Sequence, residues 1–71
     1  MRVQYDASVD MAYISLGGEI GPGEAVRQVP AGEDGVALLD LDADGRLLGI
    51  EVPDARARLR PGVLEAAERI G

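Results

Sequence analysis

Strand-like runs of apolar and polar residues, separated by turn residues, fill the chain as far as Val52, and after Pro53 apolar residues recur at helical spacing. Val3-Gln4-Tyr5 alternates, Asp6 to Asp10 supplies turn residues, and Met11 to Leu16 alternates again with β-favouring Tyr13 and Ile14. These runs predict a first hairpin. Gly17 to Glu24, rich in glycine and containing Pro22, predicts a loop. Ala25 to Val29 predicts a short strand whose Arg27 and Gln28 suit an edge or half-exposed position. Pro30 to Gly35 predicts the next turn.

Val36 to Leu41 and Leu47 to Val52 are the two strongest strand patterns, and Asp44-Gly45 between them is among the best short-range hairpin signals. A three-residue loop Ala43-Asp44-Gly45, with Gly45 in the left-handed position, would pair Asp42 with Arg46. The same register sets Leu41 opposite Leu47, Asp40 opposite Leu48, Leu39 opposite Gly49 and Leu38 opposite Ile50. It puts Val36, Leu38, Leu48, Ile50 and Val52 on one face, and Ala37, Leu39, Leu41 and Leu47 on the other. Two apolar faces are unusual for an antiparallel sheet with one side in water. A helix can cover one. The second predicts self-association, as a two-fold homodimer or a higher homo-oligomer.

Pro53 ends the last strand, and Asp54 to Leu59 predicts a helical turn with Asp54 as its N-cap. Arg60-Pro61 breaks that turn, because the residue before proline avoids helical angles. Pro61 then suits the start of a final helix, Pro61 to Ile70, with Gly71 beyond its end. Val63, Leu64, Ala67 and Ile70 make one apolar stripe at helical spacing, with Glu65, Glu68 and Arg69 outside it. The expected architecture is α+β: a small antiparallel β-meander of four to five strands with one C-terminal helix. It forms a single domain over residues 1–71, a meander at 1–52 followed by a connector and helix at 53–71.

Size changes the picture first. A chain of 71 residues buries only about 60% of its unfolded surface, so its stability is thin without further help. With no Cys and no His there is no disulfide framework, no thiolate metal site and no imidazole ligand or base. Oligomerisation and tight local packing remain. Phe and Trp are absent too and only Tyr5 and Tyr13 are aromatic, so the core must be aliphatic. The net charge of −6, thirteen acids against seven arginines, argues against direct nucleic-acid binding and against anionic membranes. It suits a basic protein partner and also keeps a small protein soluble. No run approaches a transmembrane helix and the N-terminus lacks a signal-peptide core, so a cytoplasmic location is expected.

The strongest chemical signal is Asp40 to Glu51. Asp40, Asp42, Asp44, Gly45 and Glu51 stand where a calcium-binding EF-hand places its ligands and its bend glycine, and Leu47 fits the usual apolar position. Such a loop must join two helices. Here Val36 to Leu41 precedes it with strand residues, and Pro53 blocks an exiting helix. The prediction is a hairpin without calcium binding in the micromolar range, leaving at most a loose divalent contact at Asp42 and Asp44. Asp6 and Asp10 bracket a turn and read as turn caps. Ser8 and Ser15 have no candidate base, and the glycines at 17, 18, 21 and 23 have no following Lys and helix to make a phosphate cradle. Arg56, Arg58 and Arg60, with Arg69, would suit an acidic partner, although runs this short are commonly just solvated. No catalytic residue, cofactor or metal site is assigned, and the chain is expected not to be an enzyme.

Tyr5-Asp6-x3-Asp10-x2-Tyr13-Ile14-x-Leu16, then Gly35-Val36, then Leu39-Asp40-x-Asp42-x-Asp44-Gly45-Arg46-Leu47-x-Gly49-Ile50-Glu51, resembles domain-of-unknown-function family 2283 of bacteria and archaea. The resemblance covers roughly residues 1 to 59 and implies a sheet with a helical end. It carries over no catalytic or binding residues. Some members are encoded beside short proteins resembling ribonuclease-type toxins, so it also implies an antitoxin-like role. Three functions follow as expectations. The first is a non-enzymatic protein-interaction module, antitoxin-like, neutralising a basic partner. The second is a metal-binding or carboxylate-based small enzyme using Asp40 to Glu51, and the third a self-assembling homo-oligomer of unassigned role.

Overall fold

Three hairpin pairings and two long-range ones build a single six-stranded sheet in the computed structural model, which describes residues 1–71. β1 (Arg2–Asp6) and β2 (Met11–Ser15) form the first hairpin, with Val3 opposite Ile14 and Tyr5 opposite Ala12. β3 (Arg27–Ala31) pairs with β4 (Ala37–Leu41), and β4 with β5 (Leu47–Pro53), all antiparallel. β5 then returns to β2, with Ala12 opposite Val52 and Ile14 opposite Ile50. Two short helices follow, α1 (Ala55–Arg58) and α2 (Pro61–Ala66), and β6 (Glu68–Ile70) adds to β1 in parallel. The strand order is β3-β4-β5-β2-β1-β6. The α+β class stands, but the expected antiparallel meander of four to five strands with one C-terminal helix is corrected to a mixed six-stranded sheet with two short helices. β5 inserts between β2 and β4, so the order is not sequential.

Local chemistry explains most departures. β3 begins two residues later than the apolar pattern places it and contains Pro30. That residue is tolerated because β3 is an edge strand, where one side of the ladder needs no N–H. The final helix stops at Ala66 rather than Ile70. Gln4 to Asp6 would otherwise present an unpaired strand edge, and Glu68 to Ile70 fills it. Arg2 and Glu68 clamp the addition with Nε–Oε2 and Nη2–Oε1 hydrogen bonds, both 2.8 Å. The expected stripe is therefore split: Leu64 enters the core and Ala67 packs beside it, while Ile70 is 43% exposed. α1 forms where expected, but Asp54 has a left-handed backbone (φ 52°) and makes no side-chain cap. Asp10 caps instead, its carbonyl accepting the Ala55 N–H at 3.0 Å and its Oδ1 the Arg56 N–H at 3.1 Å.

The strongest hairpin has the expected turn and a different register. Gly45 is left-handed (φ 78°), and the Asp42 N–H donates to the Arg46 carbonyl at 2.9 Å. Leu41 faces Leu47, but a bulge then absorbs Leu48, so Asp40 faces Gly49, Leu39 faces Ile50 and Leu38 faces Glu51. A one-residue slip exchanges faces. Leu39, Ile50 and Val52 now share one face, while Leu38, Asp40 and Glu51 share the other. The expectation of two apolar faces on this hairpin is thus overturned. One face is apolar and the other carries carboxylates.

The core sits on the apolar face. Tyr5, Ala12 and Val52 from three adjacent strands meet Ala55 of α1 and Leu64 of α2, with Ala37, Ile50, Leu59 and Ala67 packed around them. Ten helical residues cannot roof six strands. By the same alternation Val3, Ile14, Val29, Leu39 and Leu48 lie on this face, outside that core, and none is fully buried. No helix is long and apolar enough to cross a membrane.

Candidate functional site

The face opposite the helices carries one connected polar cluster, built across four strands. Tyr13 on β2 stands opposite Glu51 on β5, and its ring lies over Gly49, the one interior β5 residue without a side chain. A Cβ at Gly49 would stand 2.6 Å from Tyr13 Cζ, so glycine is what lets the ring cross β5. The Tyr13 hydroxyl reaches β4 and donates to Asp40 Oδ2 at 2.8 Å. Gln28 of β3 donates from Nε2 to Asp40 Oδ1 at 3.0 Å and to Glu51 Oε2 at 3.4 Å. Partial burial, then the bond to Asp40, pushes the Tyr13 phenol up to about 12, so it stays neutral and donating. The cluster is a cross-strand brace with an acidic outer edge. A phenol held protonated supplies no base near neutral pH.

The calcium-like segment is divided by this geometry. Asp40 and Glu51 lie on the sheet face, joined through Gln28. Asp42 belongs to the turn, where its Oδ1 accepts the backbone N–H groups of Asp44 and Arg46, both at 2.9 Å. No three acidic side chains of the chain converge as a metal site. Asp6 is a turn cap as expected, its Oδ1 accepting the Ser8 N–H at 3.0 Å and hydroxyl at 2.6 Å. Asp10 does more than close its turn. It also takes the Tyr5 hydroxyl at 2.8 Å, and Tyr5 in turn accepts Arg56 Nε at 3.1 Å. Arg69 stacks over the Tyr5 ring, 5.1 Å from its centroid. Of the basic run, Arg56 is thus tied to the core while Arg58 and Arg60 are solvated.

Sequence reasoning read Tyr5, Tyr13 and Gln28 only as strand residues and gave none of them a place in a polar cluster. The available signal was Gly49, a glycine inside the strongest strand pattern, which marks a bulge or a close approach. Its partner was hidden because Tyr13 and Asp40 become neighbours only when β5 lies between their strands.

The model of the family described as "Protein of unknown function (DUF2283)" matches residues 2–56. The chain belongs to that family. The DUF2283 match runs from β1 to the second residue of α1, so it contains the whole Tyr13 cluster, Tyr5, Asp10 and Arg56. α2 and β6 lie beyond it. Searches of curated proteins and of solved structures found no match.

Proposed function

We propose that this DUF2283 protein is a non-catalytic protein-interaction module that works as a homodimer, joined through the part of the apolar sheet face that its helices leave open. The supporting observation is that open patch: Val3, Ile14, Val29, Leu39 and Leu48 stand beside a core of five side chains. The chain exposes more surface than a compact monomer of its mass. A compact monomer of this mass exposes about 4,200 Å², which leaves a surplus of about 560 Å² over that figure. The structure's surface is 4765 Å² for 7.4 kDa. The molecule is also only 18 Å thick along its shortest axis.

Dimerisation through this face leaves the Tyr13–Asp40–Gln28–Glu51 side outward on both copies. With a charge of −6 per chain, that surface suits a basic protein partner and repels nucleic acid and anionic membranes. Glu51, with exposed Ile70 across the sheet, offers the mix of charge and apolar contact such a partner needs.

Adjacent substitutions separate the faces. Leu39→Lys and Val29→Lys point into the proposed interface, whereas Leu38→Lys points to the polar side. In sedimentation equilibrium the wild type and L38K should weigh twice 7.4 kDa, and L39K and V29K should weigh 7.4 kDa with unchanged circular dichroism. A monomeric wild type, or disruption by L38K alone, overturns the proposal.

A further inference from the structure

One cavity, of ≈440 Å³, is used by neither the polar cluster nor the open half-sheet. It lies beside Tyr5 and between α2 and β6, with Ala7, Pro61 and Leu64 as apolar lining and Arg56, Arg69 and Glu65 as charged groups. Its volume falls within the roughly 300–1,000 Å³ of small-molecule sites.

Its two arginines, both held against Tyr5, set its chemistry. Arg2 pairs with Glu68, and Arg56 Nε lies 3.8 Å from Asp10. The Arg69 side chain has no ion pair and makes no hydrogen bond, and is held instead by its stack on Tyr5. Arg56 uses Nε and its backbone N–H, leaving its terminal nitrogens free. Both guanidiniums are anchored to one ring that is 2% exposed, so their free edges are placed before any ligand arrives. A planar fork with unused donors matches a carboxylate.

The geometry points to a binding site for a small monocarboxylate with an apolar body. The carboxylate meets Arg56 and Arg69, and the body lies on Leu64, Pro61 and Ala7. Glu65, Asp10 and the net charge of −6 select against multiply charged anions such as phosphate. The site joins Tyr5, Ala7 and Arg56 of the family-matched region to α2 and β6, which lie outside it.

Titration of the full chain with hexanoate, followed by backbone amide NMR, tests this. Saturable shifts are expected at Arg56, Leu64 and Arg69. Hexanol, lacking the charge, and acetate, lacking the body, should each bind at least about tenfold more weakly, the scale of one charge-assisted contact or a few buried methylenes. Arg69→Gln and, independently, Arg56→Gln should weaken hexanoate by a similar factor, while Arg58→Gln, a solvated arginine outside the cavity, should not. Equal binding of hexanol or acetate, preference for inorganic phosphate, equal loss in R58Q, or shifts confined to other residues would each overturn the site.

Discussion

Replacing Gly49 with alanine gives a stability change whose sign separates packing from propensity. Glycine weakens a strand interior, and Gly→Ala at a permissive backbone stabilises by about 0.4–1 kcal/mol through the unfolded chain. Gly49 has no positive φ, so backbone preference alone expects a gain. The structure opposes it. A methyl at Gly49 would stand 2.6 Å from Tyr13 Cζ and 2.8 Å from the Ile14 carbonyl oxygen, and nearer still to the Tyr13 hydroxyl. The carbonyl belongs to a paired strand and cannot move far, so the ring must lift. Overpacking of this kind costs about 1–3 kcal/mol. A lifted ring also surrenders the hydroxyl bond to Asp40, a further cost of about 1 kcal/mol. The net loss is about 1–3 kcal/mol, in a domain whose whole stability is about 4–11 kcal/mol. Urea unfolding at fixed protein concentration, followed by far-ultraviolet circular dichroism, should show the midpoint falling by about 1–2 M. In a Tyr13→Val background the same change should cost at least about 1 kcal/mol less, because the ring is gone. A G49A protein as stable as wild type, or more stable, refutes the close-packed brace.

Three further outcomes follow. The folded-state value of about 12 for Tyr13 lies above the ordinary 10.0, so the native state holds that proton more tightly. The resulting stability is fully present below pH 10.0 and is lost as pH rises through about 12. Tyr13 Cζ shifts should report that titration, Asp40→Asn should lower it, and a midpoint at 10.0 contradicts it. Glu68 lies below its ordinary 4.5 because of the hydrogen bond from Arg2, so their pairing is present above pH 4.5 and fades as pH falls through the lowered value. Glu68→Gln or acid should therefore speed amide hydrogen exchange at Glu68–Ile70 while the β4–β5 ladder stays protected, and unchanged exchange at β6 counts against the clamp. Calcium at micromolar levels should give no saturable heat in calorimetry, since Asp42 Oδ1 already serves two backbone amides. One-to-one binding at that level contradicts the turn assignment.

Elements set by neighbours in the chain were legible, and those set by distant partners were not. Asp44-Gly45 carries its own turn geometry, and Gly45 takes the expected left-handed conformation. The alternation in Met11 to Ser15 and the breaker Pro53 likewise act within a few residues. The bulge at Leu48 is different. The hairpin loop alone permits a straight ladder, and the choice of register is made by β2, whose Ile14 and Ala12 take Ile50 and Val52 into the core. β6 shows the same limit. Residues 67–70 continue a helical stripe locally, and only β1, more than sixty residues away in sequence, turns them into a strand. The flanks of Asp40 to Glu51 mark that segment as a hairpin, and the structure has the hairpin. The segment's role in the Tyr13 brace depends on which strand lies between β2 and β4, which residue periodicity does not encode.

The most direct test of the proposed dimer is an isotope-filtered NOE experiment on a mixture of carbon-13-labelled and unlabelled chains, which detects only contacts between copies. Cross-peaks linking the methyl groups of Val29, Leu39 and Leu48 to the same set on a second copy are expected. Absence of intermolecular peaks at concentrations on the order of hundreds of micromolar, or peaks confined to Leu38, Met11 and Ile70, would contradict association through the open apolar face.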